Sequence, residues 1–390
     1  MTVPPPSPSA PGPAAPLPRP LAETAKDVAR LAAASQQVVD ESHRLTPELA
    51  GALRGAGFAR HFVPRRWGGT AGSFTAALSA TAALGETCAS TAWCAALYAA
   101  HGRLAAYLPE EGRAEVWASG PDTLIAACVN PPSGTAVPVA GGWRLNGQWR
   151  YASGVDHADW VLLASGTEDG HDGGRRVFAV PRADCAVRDT WRNLGLRGTG
   201  SNSLTVSDVF VPARRVFAPA DLGRPAGEAR CHRIPFMLVA PLQFAAPALG
   251  AARGALREWT GWTARTRRPS GQWLHELPSA QEVLARTSGD IHLAGLLLDE
   301  CARRADRSAP SPLAVAENLR DSATASALCR SALDRLLHAS GSSAQADGHP
   351  LQRRWRDVTA AASHTTLSFD AASAVYAREV FAAAGTEGTR

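Results

Sequence analysis

The sequence predicts an α+β protein built in chain order from an N-terminal α-helical domain, a middle antiparallel β-barrel or sandwich domain, and a C-terminal four-helix bundle. Three observations carry this. Apolar residues recur at spacings of three and four from about residue 21 to 119. The texture then changes to short Val-, Leu- and Trp-rich runs punctuated by Gly, Pro, Asn and Asp. From about residue 233, helical periods return in long pieces and no βα alternation occurs anywhere. With 390 residues, 45% apolar and 19% charged, the chain has the composition of a globular protein with a sizeable core.

The stretch "MTVPPPSPSAPGPAAPLPRP" is too proline-rich to build a helix or a core, so residues 1–20 are expected to form a disordered tail. It lacks a basic start followed by an apolar run, which argues against a signal peptide. The N-terminal α-helical domain is assigned to residues 21–119. Within it, "TPELAGALRGAGF" opens on a threonine cap with proline in the first turn, and "STAWCAALYAAHGRLAAYL" is apolar nearly all round, as a buried helix is. The β domain is assigned to residues 120–229, with strands in "GGWRLNGQWRYASG", "DWVLLAS", "RRVFAVPR" and "NSLTVSDVFVP". The bundle is assigned to residues 230–390, with helices over 241–265, 279–307, 311–338 and 351–383.

Several function classes are excluded. The formal charge of +5 rests almost wholly on arginine, since Lys26 is the only lysine, and the arginines are scattered among acids instead of forming a nucleic-acid stripe. Seven widely spaced cysteines without a C-x-x-C pair read as reduced, buried thiols of a cytoplasmic protein. No His/Cys/carboxylate cluster has metal spacing, and no apolar run suits a membrane span. "GLRGTGS" and "RRWGGTAG" fail the G-x-G-x-x-G pattern, so a nicotinamide dinucleotide has no site of that kind.

One stretch is unusual. In "WRYASGVDHADWVLLA", residues 149–164, alternation puts Trp149 and Tyr151 on one strand face before a Ser153-Gly154 turn breaks the period. Aromatic packing of a hairpin and the wall of a flat ligand site are both open readings of this stretch.

Residues 21–383 resemble the acyl-CoA dehydrogenase superfamily, and within it the two-component (group D) flavin-dependent monooxygenases. The resemblance rests on "STAWCAALYAAH", "AACVNPPSGTA", "LNGQWRYASGVDHADWVLLA", "WRNLGLRGTGSNSLTVSDVFVP" and "PLQRRWRDVTAAASH", in order and at family-like spacing. It implies a flavin held between the β domain and the bundle. Tyr151, Ala152 and Ser153 would lie at the flavin ring, with Ser153 beside its N5 and C4a edge and the Ser-Gly turn letting the backbone approach. Val129, Asn130 and Ala136 would contribute from the preceding loop. Arg267 would reach a flavin phosphate across a subunit interface, with Ser342 and Ser343 completing the phosphate contacts. The cofactor would be reduced flavin (FMNH2 or FADH2), with O2 as co-substrate and no metal. A separate NAD(P)H:flavin reductase would supply it transiently, and the chain would form a homo-oligomer, a tetramer above a dimer. No nucleic acid or membrane would be a partner.

Two chemistries are possible on such a frame, and the residues separate them. A dehydrogenase needs a carboxylate base for the α-proton. One family position for it falls on Thr365, nine residues after Arg356, and the other falls between Glu228 and Glu258, where no acid occurs. His364 stands beside the empty position instead. A neutral imidazole suits a phenol, and in the resembling hydroxylases this histidine deprotonates or hydrogen-bonds the substrate hydroxyl, activating the ortho carbon towards a flavin C4a-hydroperoxide. His101, at the end of its buried helix, matches a family histidine at the pocket mouth, although a helix-terminal histidine stabilised by the dipole has the same signature. Trp93 is either core or a wall of the substrate pocket, and His157, placed at the same pocket, orients the loop or the peroxide or simply hydrogen-bonds backbone. The expected activity is hydroxylation of a small aromatic, phenolic substrate of secondary-metabolite type. The alternatives are an N-hydroxylase, an oxidase or dehydrogenase of the same superfamily, and a homologue that binds no flavin.

Overall fold

The computed structural model describes residues 19–167 and 174–387. Of the tail expected over residues 1–20, residues 1–18 lie outside them. Among the described residues, five α-helices come first: α1 (Leu21–Ser42), α2 (Pro47–Ala56), α3 (Phe74–Gly85), α4 (Ala89–Ala105) and α5 (Glu110–Val116). The Thr46 hydroxyl caps α2 by accepting from the Leu49 N–H at 3.2 Å, Pro47 follows at the first position, and Gly57 closes it at φ +87°. Every residue of α4 except Ala100 is buried, so this helix is a core element with few solvent positions.

Among the described residues, eight strands form one sheet: β1 (Ile125–Cys128), β2 (Thr135–Val139), β3 (Gly142–Ala152), β4 (Trp160–Thr167), β5 (Arg175–Pro181), β6 (Ala186–Arg188), β7 (Asn202–Pro212) and β8 (Val216–Phe217). Their order is β6-β7-β3-β2-β4-β5-β8, with β1 also on β4. The expected all-antiparallel pairing needs correction, because β1 and β2 both run parallel to β4. The chain reaches β4 from β3 through the Ser153–Ala158 turn and not by a hairpin, which leaves β1 and β2 aligned with it.

The bundle follows: α6 (Phe236–Val239), α7 (Leu242–Arg265), α8 (Pro278–Arg307), α9 (Pro312–Ala339), α10 (Pro350–Ala362) and α11 (Phe369–Glu387). Helix α7 packs on α3, α4, α8, α9 and α10. The contact with α3 is backbone-close: a Cβ on Gly250 would lie 2.1 Å from the Ala82 carbonyl oxygen, so only glycine fits there. The run 236–265 is long and apolar enough to cross a membrane by length and composition, yet 72% of its most apolar stretch is buried in the protein, as befits a core helix. All seven cysteines are buried.

The last bundle helix expected over 351–383 is broken. It stops at Ala362, a single turn spans Thr365–Leu367, and α11 resumes at Phe369 and packs on α9. The sequence "SHTT" explains the break, since its small polar and β-branched side chains offer the backbone alternatives to the helical ladder. Ser363 donates to the Thr359 carbonyl, and the His364 ring accepts from the Thr366 N–H.

Candidate active site

The helix break presents His364 to the rest of the protein. Its ring stacks on Phe244 of α7, with centroids 3.7 Å apart and planes 20° apart. Trp93 of α4 meets it edge-on at 5.9 Å, and Trp93 and Phe244 are themselves 5.2 Å apart. Three rings from three elements thus form one apolar cluster. Because Nδ1 accepts from the Thr366 N–H at 3.2 Å, the ring proton of the neutral imidazole sits on Nε2. Burial pushes the pKa of His364 down to about 4, so the ring is neutral at ordinary pH. In this tautomer Nε2–H is a hydrogen-bond donor.

Trp93 also ties this cluster to the β domain. Its Nε1 donates to the Ser153 hydroxyl at 3.2 Å. Ser153 Oγ lies 2.7 Å from Ser201 Oγ, Ser201 Oγ lies 2.6 Å from Thr199 Oγ, and Thr199 donates to the Leu196 carbonyl at 2.8 Å. Each hydroxyl has one proton, so the carbonyl at the end fixes the direction of the whole chain. Thr199 spends its proton on Leu196, Ser201 on Thr199, and Ser153 on Ser201. The Ser153 N–H is engaged as well, donating to the Tyr151 carbonyl at 2.9 Å. In this arrangement both the hydroxyl proton and the N–H of Ser153 are engaged within the protein.

The neighbouring residues differ from expectation. Trp149 and Tyr151 do not share a face. Trp149 is buried in the β core while Tyr151 is 65% exposed, because the register of β3 against β7 shifts between Trp149 and Ala152 and Tyr151 takes φ +65°. The bulge delivers the Tyr151 ring to the surface, edge-on to Trp191 at 6.2 Å, and turns the Ala152 side chain into the core. Gly154, at φ +72°, makes room for Tyr98: a Cβ there would lie 2.5 Å from the Tyr98 hydroxyl, which donates to the Gly154 carbonyl at 2.8 Å.

His101 is not at a helix end, since α4 continues to Ala105. It is buried, its Nδ1 lies 2.8 Å from the Ile125 carbonyl, and burial lowers its pKa to about 4. His157 is turned away from the cluster, with Nε2 2.9 Å from the Leu45 carbonyl between α1 and α2. It fastens the β domain to the first helices. Val129 is half-buried and Asn130 exposed at the end of β1. Ala136 is sealed in the β core, leaving only its backbone for any ligand. Arg267 is exposed after α7, with its guanidinium 3.9 Å over the Trp273 ring. No carboxylate pairs with it among the described residues. Ser342 and Ser343 are exposed in a single turn after α9.

Three participants escaped the sequence reading. Phe244 lies in an apolar helix with nothing to distinguish it from core. Ser201 and Thr199 lie inside the quoted "RGTGSNS", whose hydroxyl spacing was a signal that could have been used.

Comparison with known proteins agrees with this architecture. Residues 242–369 match the family model described as acyl-CoA dehydrogenase, C-terminal domain. The chain is 32% identical over 355 residues to the flavin-dependent monooxygenase oxygenase subunit HsaA of Rhodococcus jostii (strain RHA1), covering 87% of this chain and 92% of that protein. It is also 32% identical over 368 residues to the oxygenase component of the FADH(2)-dependent resorcinol hydroxylase of Rhizobium sp. (strain MTP-10005), covering 88% and 90%. The crystal structure of 3-HSA hydroxylase from Rhodococcus sp. RHA1 superposes with a TM-score of 0.86 at 28% identity, covering 93% of this chain and 97% of that one. On the fold and these likenesses, the chain belongs to the oxygenase subunits of the two-component flavin-dependent monooxygenases, enzymes on the acyl-CoA dehydrogenase fold that use reduced flavin supplied by a separate reductase.

Proposed function

We propose that this oxygenase hydroxylates a small phenolic substrate next to its hydroxyl group, with His364 holding the substrate oxygen. The observation that carries this is the neutral His364 ring, set in an aromatic cluster with its proton on Nε2. A donor aimed at a phenol oxygen stabilises the phenolate, and a hydrogen bond to a charged oxygen is worth about 1.5–3 kcal/mol. Charge on that oxygen raises electron density at the ortho carbon. With a pKa near 4, His364 is a poor acceptor of the phenol proton at neutral pH, so positioning by donation fits better than general-base catalysis. One atom of O2 would enter the ring as hydroxyl and the other leave as water, the two electrons coming from the flavin.

The residues present fit a flavin. The exposed Tyr151 ring at the end of β3 and the half-buried Trp191 beside it offer an aromatic wall, and the uncommitted charge of Arg267 suits a phosphate, with Ser342 and Ser343 as further donors. When bound, the flavin supplies the reducing equivalents that activate O2. Dehydrogenation is less well supported. Thr365 carries no acid, and Glu258 of α7 is committed to Arg354 at 2.7 Å. A homotetramer fits the apolar side chains exposed on α8 (Leu293, Leu296) and α11 (Phe369, Phe381). The test is turnover with 18O2 and an unrelated flavin reductase on phenols paired with their methyl ethers. Label should enter the phenols beside the hydroxyl and not the ethers. Equal hydroxylation of both would overturn the role given to the hydroxyl.

A further inference from the structure

Among the described residues, the buried cation Arg103 has no counter-ion. Arg103, near the end of α4, is only 3% exposed. Its Nε donates to the Cys231 carbonyl at 2.6 Å, another guanidinium nitrogen donates to the Ile234 carbonyl, the Tyr107 hydroxyl lies beside it, and the group sits 5.6 Å over the Phe74 ring. All these partners are neutral, and no carboxylate pairs with Arg103 among the described residues. A guanidinium does not shed its proton to escape burial, so its charge stands uncompensated.

The same residue lines a pocket between α3, α4 and the start of α7. Arg103 is the only charged side chain in its wall, Thr81 and Gln243 are the only other polar ones, and the rest is apolar. The floor is made of alanines: Ala96, Ala99 and Ala100 leave open the space that larger side chains on α4 would fill. Trp93, Ala96, Ala100 and Arg103 follow one another at spacings of three, four and three, so they share one stripe of α4. The pocket therefore begins one turn beyond the aromatic cluster at Trp93. It ends at Arg103, ten residues and about 15 Å along the helix axis.

We propose that this pocket takes the apolar tail of an elongated aromatic acid, whose terminal carboxylate pairs with Arg103 while its phenolic ring reaches the Trp93–Phe244–His364 cluster. This rests on the aromatic-hydroxylase reading above and adds a specificity-determining residue to it. A carboxylate supplies the missing counter-charge, the alanine floor accepts a linker without branching, and the separation sets the linker length. Small phenols without a tail would leave both Arg103 and the pocket unused.

Binding without turnover tests this separately from the reaction. Calorimetric titration of the full chain would use ω-(4-hydroxyphenyl)alkanoates of short, medium and long linkers, each against its neutral primary amide. The expected result is an affinity maximum at one linker length, with acid favoured over amide by roughly ten- to hundredfold, the range for a hydrogen bond to a charged group. Arg103→Lys should keep the preference for acid and Arg103→Gln should abolish it. Because Arg103→Gln also loosens the loop it fastens, Ala99→Leu is the second variant. It should fill the pocket and remove long-linker binding while thermal stability and short-phenol binding persist. Equal affinity for acid and amide, no binding of either, or unchanged long-linker binding in Ala99→Leu would each overturn the proposal. Failure of hydroxylation with acid-selective binding intact would instead count against the functional reading alone.

Discussion

Trp93 joins the two halves of the site: its Nε1 donates to Ser153 Oγ at 3.2 Å, and its ring stands edge-on to His364 at 5.9 Å. One indole from the N-terminal helices thus touches both the strand end of the β domain and the helix break of the bundle. Trp93→Phe keeps the ring contact and removes the donor. It should destabilise the protein by about 1 kcal/mol, the usual net worth of one hydrogen bond. Chemical denaturation checks the magnitude. Trp93→Ala, which also empties a buried site, should cost about 3–5 kcal/mol.

The hydroxyl chain makes a directional prediction. Replacing Ser201 with alanine removes the acceptor for the Ser153 proton, which then becomes free to turn outward. Reduced flavin should therefore bind Ser201→Ala at least as tightly as wild type, whereas Ser153→Ala should change affinity little. Flavin titration monitored by fluorescence distinguishes this from a hydroxyl that already contacts the cofactor, for which Ser153→Ala alone would weaken binding.

Acid sensitivity follows from the histidines. His101 and His364 have pKa values near 4 because burial disfavours their charged forms, against an ordinary value of 6.5. In this interval the unfolded chain binds more protons than the folded one. Their contribution to stability is therefore fully present above about 6.5 and falls as pH drops towards 4, on the order of 3 kcal/mol for buried His101. Imidazole NMR resonances titrating near 4, with a falling melting temperature over the same interval, are the expected observations. His101→Gln should flatten that decline.

Asp357 gives the opposite dependence. Burial raises its pKa to about 6 although its Oδ1 accepts the Leu196 N–H at 2.7 Å. A raised carboxyl pKa contributes stability that is full below 3.8 and is lost as pH rises through 6. Asp357→Asn should therefore be more destabilising at pH 5 than at pH 8. A cost independent of pH would mean that the carboxyl is ionised throughout.

Much of this was legible in the sequence, and what was not has identifiable causes. Periodicity located the core helices and the main strands, because burial on one face or all faces leaves a repeating signal. It missed the break in the last expected helix, since "AAASHTTLS" is compatible with a helix until the Ser363 and His364 side chains take backbone partners. Alternation failed at Tyr151 for a similar reason: a bulge adds a residue that no two-residue period anticipates. His364 could be named from its place in the pattern. Its tautomer depended on the Thr366 N–H, and its partner Phe244 looked like any core residue. The partners of the Ser153 hydroxyl were not legible either, because Ser201 and Trp93 lie far from it in the sequence.

Dependence on a reductase is a functional prediction. The protein with NADH or NADPH alone should oxidise neither, and adding a generic flavin reductase with free FMN or FAD should start turnover. Stoichiometric NADH consumption by this chain alone would contradict the two-component assignment.

The most direct test of the role given to His364 is the coupling ratio of His364→Ala, measured as hydroxylated product and hydrogen peroxide formed per NADH consumed by the reductase. The account predicts that product falls by roughly 10- to 100-fold, as for the loss of a hydrogen bond to a charged oxygen. Peroxide should rise to take up the same electrons, while flavin affinity stays near wild type. His364→Gln, which keeps a donor, should recover part of the product. Unchanged product per NADH in His364→Ala would contradict the account, and would move the substrate oxygen away from the Trp93–Phe244–His364 cluster.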